Sequence, residues 1–432
     1  MVQSLKRGRI FYGWWIVVVC IVVTMLHAGA SFYAFSRFLP TLLDEFESGA
    51  TVIAGAASLY MLVVGLTGPI AGKLTDKYGP KKLIVIGAVI GAGGLMLLGV
   101  ANAVWHLYVF YFIVGIGMSG AGFVPVGVAI SNWFDRRRGV AMGITMAGVS
   151  LGAIVIAPLA HYLIVGTGWR LAFVILGAMC AVLIVIPVMF VMRNRPEELG
   201  LLPDGASPVG NGAVSEPHSM SDPSEPEGIS NTDESSWTLS MAFRSLPFWL
   251  VLATFFFAGI VVAGVLQHEV NILKGMGIPL AAASFALGLT GGIGGVGKVL
   301  FGFVADRFNP KYASILCIAL QIVGLIILMM THTTAMVWVF VFVYGFAMGG
   351  WLTLEPLVTG QFFGMASFGT IFGWVLAAAA VGSGLGPIIM GAIYDASGSY
   401  FVGLVVFLGA YITSMTAMLL ARKPKLVSKA SL

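Results

Sequence analysis

Apolar stretches long enough to cross a bilayer recur along the whole chain, broken by short polar and glycine-rich turns. They run over 12–35, 51–74, 83–102, 105–131, 139–165 and 171–192, and resume over 247–267, 280–304, 312–331, 335–361, 368–391 and 399–421. A helix needs about 20 apolar residues to span the hydrocarbon, so the pattern predicts an all-α membrane protein of twelve transmembrane helices. The long polar stretch 193–246, rich in Gly, Ser, Pro, Asp and Glu, separates six helices from six. Such a composition cannot bury a core and predicts a largely disordered linker. The expected organisation is a six-helix bundle over 1–192, a cytoplasmic linker over 193–246 and a second six-helix bundle over 247–432.

Composition sharpens this picture. The chain has 432 residues, of which 59% are hydrophobic and 9% charged, with a mean hydropathy of +0.98. Soluble domains carry about 25% charged residues, so there are too few charges here to coat a water-soluble surface. The 57 glycines fit close helix packing in lipid. The basic start (Lys6, Arg7, Arg9) before the first apolar stretch is signal-like, but the stretch is long and lacks a small-residue cleavage site, which favours a retained helix. Cys20, Cys180 and Cys317 fall inside predicted helices, with neither metal-binding spacing nor a disulfide framework.

The net charge of +5 reflects topology rather than nucleic-acid binding. With an even helix count and the N-terminus inside, Arg37, Arg170, Lys274 and Lys298 are the only exceptions to cytoplasmic placement among 23 Lys and Arg residues. That asymmetry is the positive-inside rule and places both termini in the cytoplasm of a multi-pass protein of a cell membrane (an inner membrane, in a two-membrane cell).

The two halves repeat. Gly72-Lys73-Leu74-Thr75-Asp76-Lys77-Tyr78-Gly79-Pro80-Lys81 after the second helix matches Gly302-Phe303-Val304-Ala305-Asp306-Arg307-Phe308-Asn309-Pro310-Lys311 after the eighth, 230 residues on. Trp133-Phe134 pairs with Phe362-Phe363, and Pro158 with Pro387, each 229 apart. Glycine permits close helix approach, and Asp76 is placed to meet a neighbouring helix N-terminus, where negative charge is favoured.

The run Gly72, Asp76, Gly79, Lys81 and Lys82 resembles the signature loop between helices two and three of the major facilitator superfamily. The resemblance covers nearly the whole chain. It implies two six-helix bundles around a central cavity and alternating access by rocking of the halves. It also gives Gly72, Asp76, Gly79, Lys81, Lys82, Gly302, Asp306 and Arg307 a part in conformational gating; orientation by charge alone is the other reading of these residues.

Ionisable residues inside a membrane span are costly and are functional candidates by default. Lys298 lies in helix eight, about 12 Å above the end at Asp306, and Glu355 in helix ten at about 11 Å, from 1.5 Å per residue. Opposite charges at matching depth suggest a pair, either structural or opened by substrate. Lys298 follows Gly291-Gly292-Ile293-Gly294-Gly295-Val296-Gly297, small neighbours that leave room for an anion at its ammonium. His27, midway along helix one, is either a proton relay or a histidine bonded to a neighbouring helix.

Tyr12-Gly13-Trp14-Trp15 and Tyr33-Ala34-Phe35-Ser36-Arg37 are similar to the first helix of the monocarboxylate transporters and their bacterial relatives, a branch that includes the oxalate/formate antiporters. By that resemblance Arg37 and Lys298 attract a carboxylate, and Phe32, Phe123 and Trp351 line the cavity. Two positions depart from the pattern. Gly294 stands where the monocarboxylate transporters place an Asp, which shifts the proton-coupling role to Glu355 or removes it. Helix eleven carries no charge over 372–380, whereas the oxalate/formate branch has a second cation there. One deep cation suits a single carboxylate.

No catalytic constellation, nucleotide-binding loop or metal-ligand spacing stands out, so no enzyme activity and no cofactor is expected. The reading is a secondary active transporter of a small, monocarboxylate-like organic anion, taken up with protons by alternating access and working as a monomer among membrane lipids. A drug or metabolite exporter of the same fold is the alternative, although helix five has Ala157-Pro158 in place of the exporters' Gly-Pro. A transporter-like sensor is disfavoured because 193–246 is too short and polar for an output domain.

Overall fold

The computed structural model describes residues 11–205 and 237–424. Eleven of its helices are long and apolar enough to cross a membrane, and twelve if one bent pair counts as a single span. In chain order these are α1 (Gly13–Phe46), α2 (Ala50–Leu66 and, past a 45° bend, Gly68–Tyr78), α3 (Pro80–Leu98), α4 (Val104–Trp133), α5 (Arg138–Thr167) and α6 (Trp169–Val191). The second half holds α7 (Leu246–Gly275), α8 (Leu280–Arg307), α9 (Pro310–Met329), α10 (Thr334–Phe363), α11 (Phe368–Ser397) and α12 (Tyr400–Leu420). The end of the bundle where α2, α4, α6, α8, α10 and α12 finish is called the lower end below.

The helix limits follow local chemistry. Proline stands at the first position of α3 and α9, where its missing N–H and fixed φ are no handicap. The residue before α3 is Gly79 at φ +84°, a conformation that glycine adopts without strain. The bend of α2 falls at Thr67, just before Gly68-Pro69, as expected where proline removes a helix hydrogen bond. π-helical turns interrupt α1 at Gly29–Tyr33 and α5 at Gly152–Ile156. The two turns touch through Gly29 and Gly152, whose backbones come too close for a side chain at either.

Three expected limits move. Helix one continues to Phe46 instead of ending near 35, so Arg37 lies within a span and not at its end. Helix seven continues to Gly275 instead of 267, which takes in His268, Glu269 and Lys274. The polar stretch 193–246 is built into the fold at both flanks: Pro196–Leu199 and Leu239–Phe243 are short helical turns. Asp204 accepts hydrogen bonds from the backbone N–H groups of Asp135, Arg136 and Arg137 at 2.9, 2.6 and 3.3 Å. A short polar segment can be ordered without a core of its own when it satisfies another segment's open backbone donors. The remainder of the expected linker, 206–236, lies outside the described residues.

Two apolar clusters form the core, each drawn mainly from one half, with Phe301, Leu354 and Leu357 joining the first and Val124 and Val128 the second. Trp133, Tyr111 and Phe173 are fully buried in the first; Tyr344, Phe363 and Phe407 are fully buried in the second.

Candidate functional site

The halves meet along two seams related by the sequence repeat: lower α2 against α11, and lower α5 against α8. A Cβ at Gly72 would overlap the Gly369 carbonyl, and one at Gly302 would overlap that of Gly139. Higher on the first seam, Gly68 meets Gly373 and Gly65 meets Ala380. Higher on the second, Gly143 meets the Lys298 backbone and Gly295 meets Ser150. Small residues in this register let helix backbones touch without side chains between them.

Each seam ends in an aspartate at a helix N-terminus, as the sequence suggested for Asp76. The Asp76 carboxylate accepts from Gly369 N and Thr370 N at 2.8 Å each, and from Thr370 Oγ1 at 2.6 Å. The Asp306 carboxylate accepts from Gly139 N at 2.5 Å and Val140 N at 2.8 Å. α5 and α11 have no acidic residue in their own first turns and no side-chain cap. Each half therefore supplies the negative charge and the acceptors that the other's helix lacks, an arrangement favoured by both the open N–H groups and the helix dipole.

Lys81 does something different. Its backbone N–H donates to Asn194 Oδ1 at 3.0 Å and its Nζ to the Met189 carbonyl at 2.7 Å, so it ties α3 to the end of α6 within one half. The repeat-related Lys311 donates to the carbonyls of Leu419 and Ala421 at the end of α12. Cations at helix C-termini are favoured by the dipole. Gly79 packs on Asn194 in the same turn. Lys82 and Arg307 are exposed. Of the eight residues assigned to gating, Gly72, Asp76, Gly302 and Asp306 bridge the halves, while Gly79 and Lys81 hold one half together.

At the upper end of the α5–α8 seam sits Lys298, 6% exposed. Its Nζ donates to Ser150 Oγ of the opposite half at 3.0 Å and approaches its own helix at the Gly294 carbonyl, 3.5 Å away. Ser150 Oγ lies 3.5 Å from the Gly291 carbonyl. The ammonium has three donors, so one remains for another acceptor. The expected Lys298–Glu355 pair is not formed: the ion pairs among the described residues are Arg138–Asp135 and Arg170–Glu45. Glu355 is fully buried, and neither carboxylate oxygen has a hydrogen-bond partner. Matching depth along two helices does not fix the direction in which each side chain points.

His27 and Phe123 are brought together, ring centroids 4.9 Å apart; His27 is buried and its Nδ1 has no partner. Phe32 lies in the π-helical turn of α1, 40% exposed, with its ring against Tyr33. Arg37 is exposed on the following turns of α1. Trp351 was expected to line the central cavity. Instead it lines a small void inside the second half with Thr254, Cys317 and Gln321. Its helix, α10, presents that face to α7 and α9.

One buried carboxylate was missed. Glu269 on α7 is fully buried and accepts from Thr290 Oγ1 of α8 at 3.1 Å, while its second oxygen has no partner. The polar run Gln267-His268-Glu269 reads as a helix end. The buried positions Val265, Glu269 and Ile272 share one helical face, and that phase was the available signal.

Two six-helix bundles, joined at repeat-related seams and holding a buried cation where they meet, define a membrane transporter of the twelve-helix type and not an enzyme. The sequence matches the model of the Major Facilitator Superfamily over residues 19–374, and the chain belongs to that superfamily. It is 25% identical to monocarboxylate transporter 13 of Bos taurus, over 95% of this chain and 89% of that protein. It is 26% identical to monocarboxylate transporter 12 of Xenopus laevis, over 90% and 84%. Among solved structures it resembles the proton:xylose symporter XylE, with a TM-score of 0.72, 15% identity and coverage of 96% and 97%. It also resembles FucP in the outward conformation, with a TM-score of 0.69, 14% identity and coverage of 94% and 99%.

Proposed function

We propose that this transporter is a secondary active carrier of a small monocarboxylate-like anion, taken up with protons by alternating access, with the lower end facing the cytoplasm. The observation that carries the reading is Lys298: a buried ammonium at the meeting of the two halves, tied to Ser150 across the seam with one donor to spare. A carboxylate is the ligand that answers an ammonium with charge-assisted hydrogen bonds. Taking Ser150's place, it would loosen the upper end of the seam and so link binding to movement of the halves. The monocarboxylate transporters among the relatives support the same substrate class.

Glu355 is the site for the proton. Burying an ionised carboxylate without a partner costs several kcal/mol, and Glu355 has none among the described residues. A carrier that must hold a proton during one half of its cycle needs such a group. Gly72, Asp76, Gly302 and Asp306 close the lower end; Arg37, Phe32, Phe123 and His27 belong to the upper approach. The test is uptake of labelled monocarboxylates into proteoliposomes, with and without a proton gradient. Accumulation that follows the gradient supports the reading. Uptake of neutral solutes alone, or anion flux indifferent to the gradient, overturns it.

A further inference from the structure

A second cationic site lies at the lower end, apart from Lys298. A cavity of about 380 Å³ opens there, lined by Trp14, Arg136, Arg137 and Val140 of the first half and Phe303, Asp306 and Arg307 of the second. The nearby carboxylates are already committed. Asp306 accepts from the N–H groups of Gly139 and Val140, Asp204 from those of residues 135–137, and Asp135 pairs with Arg138 at 3.4 Å. Arg136, Arg137, Arg138 and Arg307 outnumber the three carboxylates by one, and the side chains of Arg136, Arg137 and Arg307 are exposed at the cavity, which leaves it net positive.

Above the cavity, α5 lies between α1 and α8, both of which pack against it. On α5, Val140, Ile144, Ala147 and Leu151 are partly or fully exposed, a single helical stripe leading up from the arginines. The opposite face of α5, with Met142, Met146 and Val149, is buried. The flanking helices are apolar on their exposed faces too: Val296, Leu300 and Phe303 on α8, and Trp15 and Val18 on α1. Three arginines at the foot of an apolar groove between membrane-spanning helices match one ligand shape: a charged head with long apolar tails.

We propose that this cavity binds the headgroup phosphate of an anionic diacyl phospholipid, with its tails lying in the α5 groove. Because Arg136 and Arg137 belong to one half and Arg307 to the other, the lipid bridges the halves and favours the state closed at the lower end.

The test uses the full chain in nanodiscs of phosphatidylcholine, with or without phosphatidylglycerol. Retained lipid is read by native mass spectrometry, and the distance across the lower end by spin labels at Glu198 and Tyr312, which are exposed on opposite halves. Phosphatidylglycerol is expected to be retained and to raise the closed population. Retention should fall about fivefold for each arginine changed in Arg136→Gln, Arg137→Gln and Arg307→Gln, from roughly 1 kcal/mol per cation near a membrane surface. Ala147→Trp, which fills the groove without altering charge, should also reduce retention. Equal retention by the wild type and the triple variant overturns the proposal, as does unchanged retention in Ala147→Trp. So does an equal shift of the label distance by inorganic phosphate in phosphatidylcholine alone, which would make the ligand a free anion. Deletion of 206–236, which carries Glu216, Asp222, Glu225, Glu227, Asp233 and Glu234, should leave retention intact. If phosphatidylglycerol is retained only after that deletion, the acidic segment is the occupant and the proposal falls.

Discussion

The α2–α11 and α5–α8 seams are built to one plan and differ at one level. Both end in an aspartate on a helix N-terminus of the opposite half, and both place glycine against backbone one turn higher. Two turns above the aspartate the first seam has Gly68, with Ala380 across it from Gly65. The corresponding places in the second hold Lys298 and Ser150. The symmetric part joins the halves through paired aspartates; the asymmetric part alone holds a buried cation. A duplicated scaffold can thus keep its mechanical contacts in both copies while one copy alone acquires chemistry.

The sharpest way to break the comparison is to erase the asymmetry. Lys298→Ala makes the second seam as neutral as the first and is expected to lower anion uptake in proteoliposomes by more than about a hundredfold, as loss of a charged hydrogen-bond partner at about 3 kcal/mol implies. Lys298→Arg should retain part of it, because charge is kept while shape changes. If Lys298→Ala binds and transports normally, the anion site lies elsewhere and Arg37 is the next residue to change. Glu355→Gln is expected to keep anion binding yet lose accumulation driven by a proton gradient. Binding and gradient-driven uptake measured together decide this, and unchanged pH dependence of accumulation removes Glu355 from coupling.

The symmetric part makes a prediction of its own. Asp76→Asn and Asp306→Asn each weaken a helix cap worth about 1–2 kcal/mol, so each should shift the lower-end equilibrium toward open by about tenfold. The effects should be similar in size, and larger on turnover than on substrate affinity. Spin-label distances across the lower end, read beside equilibrium binding, would show a large disparity between the two variants if the seams were not equivalent. A smaller loss, about fivefold in apparent affinity or rate, is expected for Ser150→Ala, which removes one neutral hydroxyl partner of Lys298. Deleting 210–232 should have the least effect on uptake, since the ordered flank around Asp204 is retained; loss of all activity at normal expression would contradict that.

Much of this was legible in the sequence because the membrane imposes a coarse rule. Twelve apolar segments and the repeat of Gly72–Lys81 in Gly302–Lys311 carry the fold, and a lone Asp beside glycine announced a contact with a helix end. The failures have separate causes. Lys298 and Glu355 were matched by depth alone, yet depth says nothing of azimuth, and Glu355 has no hydrogen-bond partner where a pair was expected. Trp351 was given to the cavity by resemblance and instead lines a void within its own half. Glu269 was hidden because a run of polar residues was read as the end of α7, where tertiary packing continues the helix. Partners across the seam, such as Ser150 for Lys298, lie 148 positions away and leave no periodic trace.

The exchange of caps has a consequence for ancestry and assembly. Replace the second half by another copy of the first, using the spacing of 230 residues. Asp76 of one copy would then meet the N–H groups of Gly139 and Val140 of the other, Gly72 would meet Gly139, Gly68 would meet Gly143, and Gly65 would meet Ser150. The backbone contacts of the two seams all have counterparts within residues 65–150; the Thr370 hydroxyl and the Lys298–Ser150 bond do not. The seam is therefore self-complementary, the kind of surface that closes a two-fold dimer from one repeated subunit. A six-helix chain bearing it would already have carried both halves of the lock.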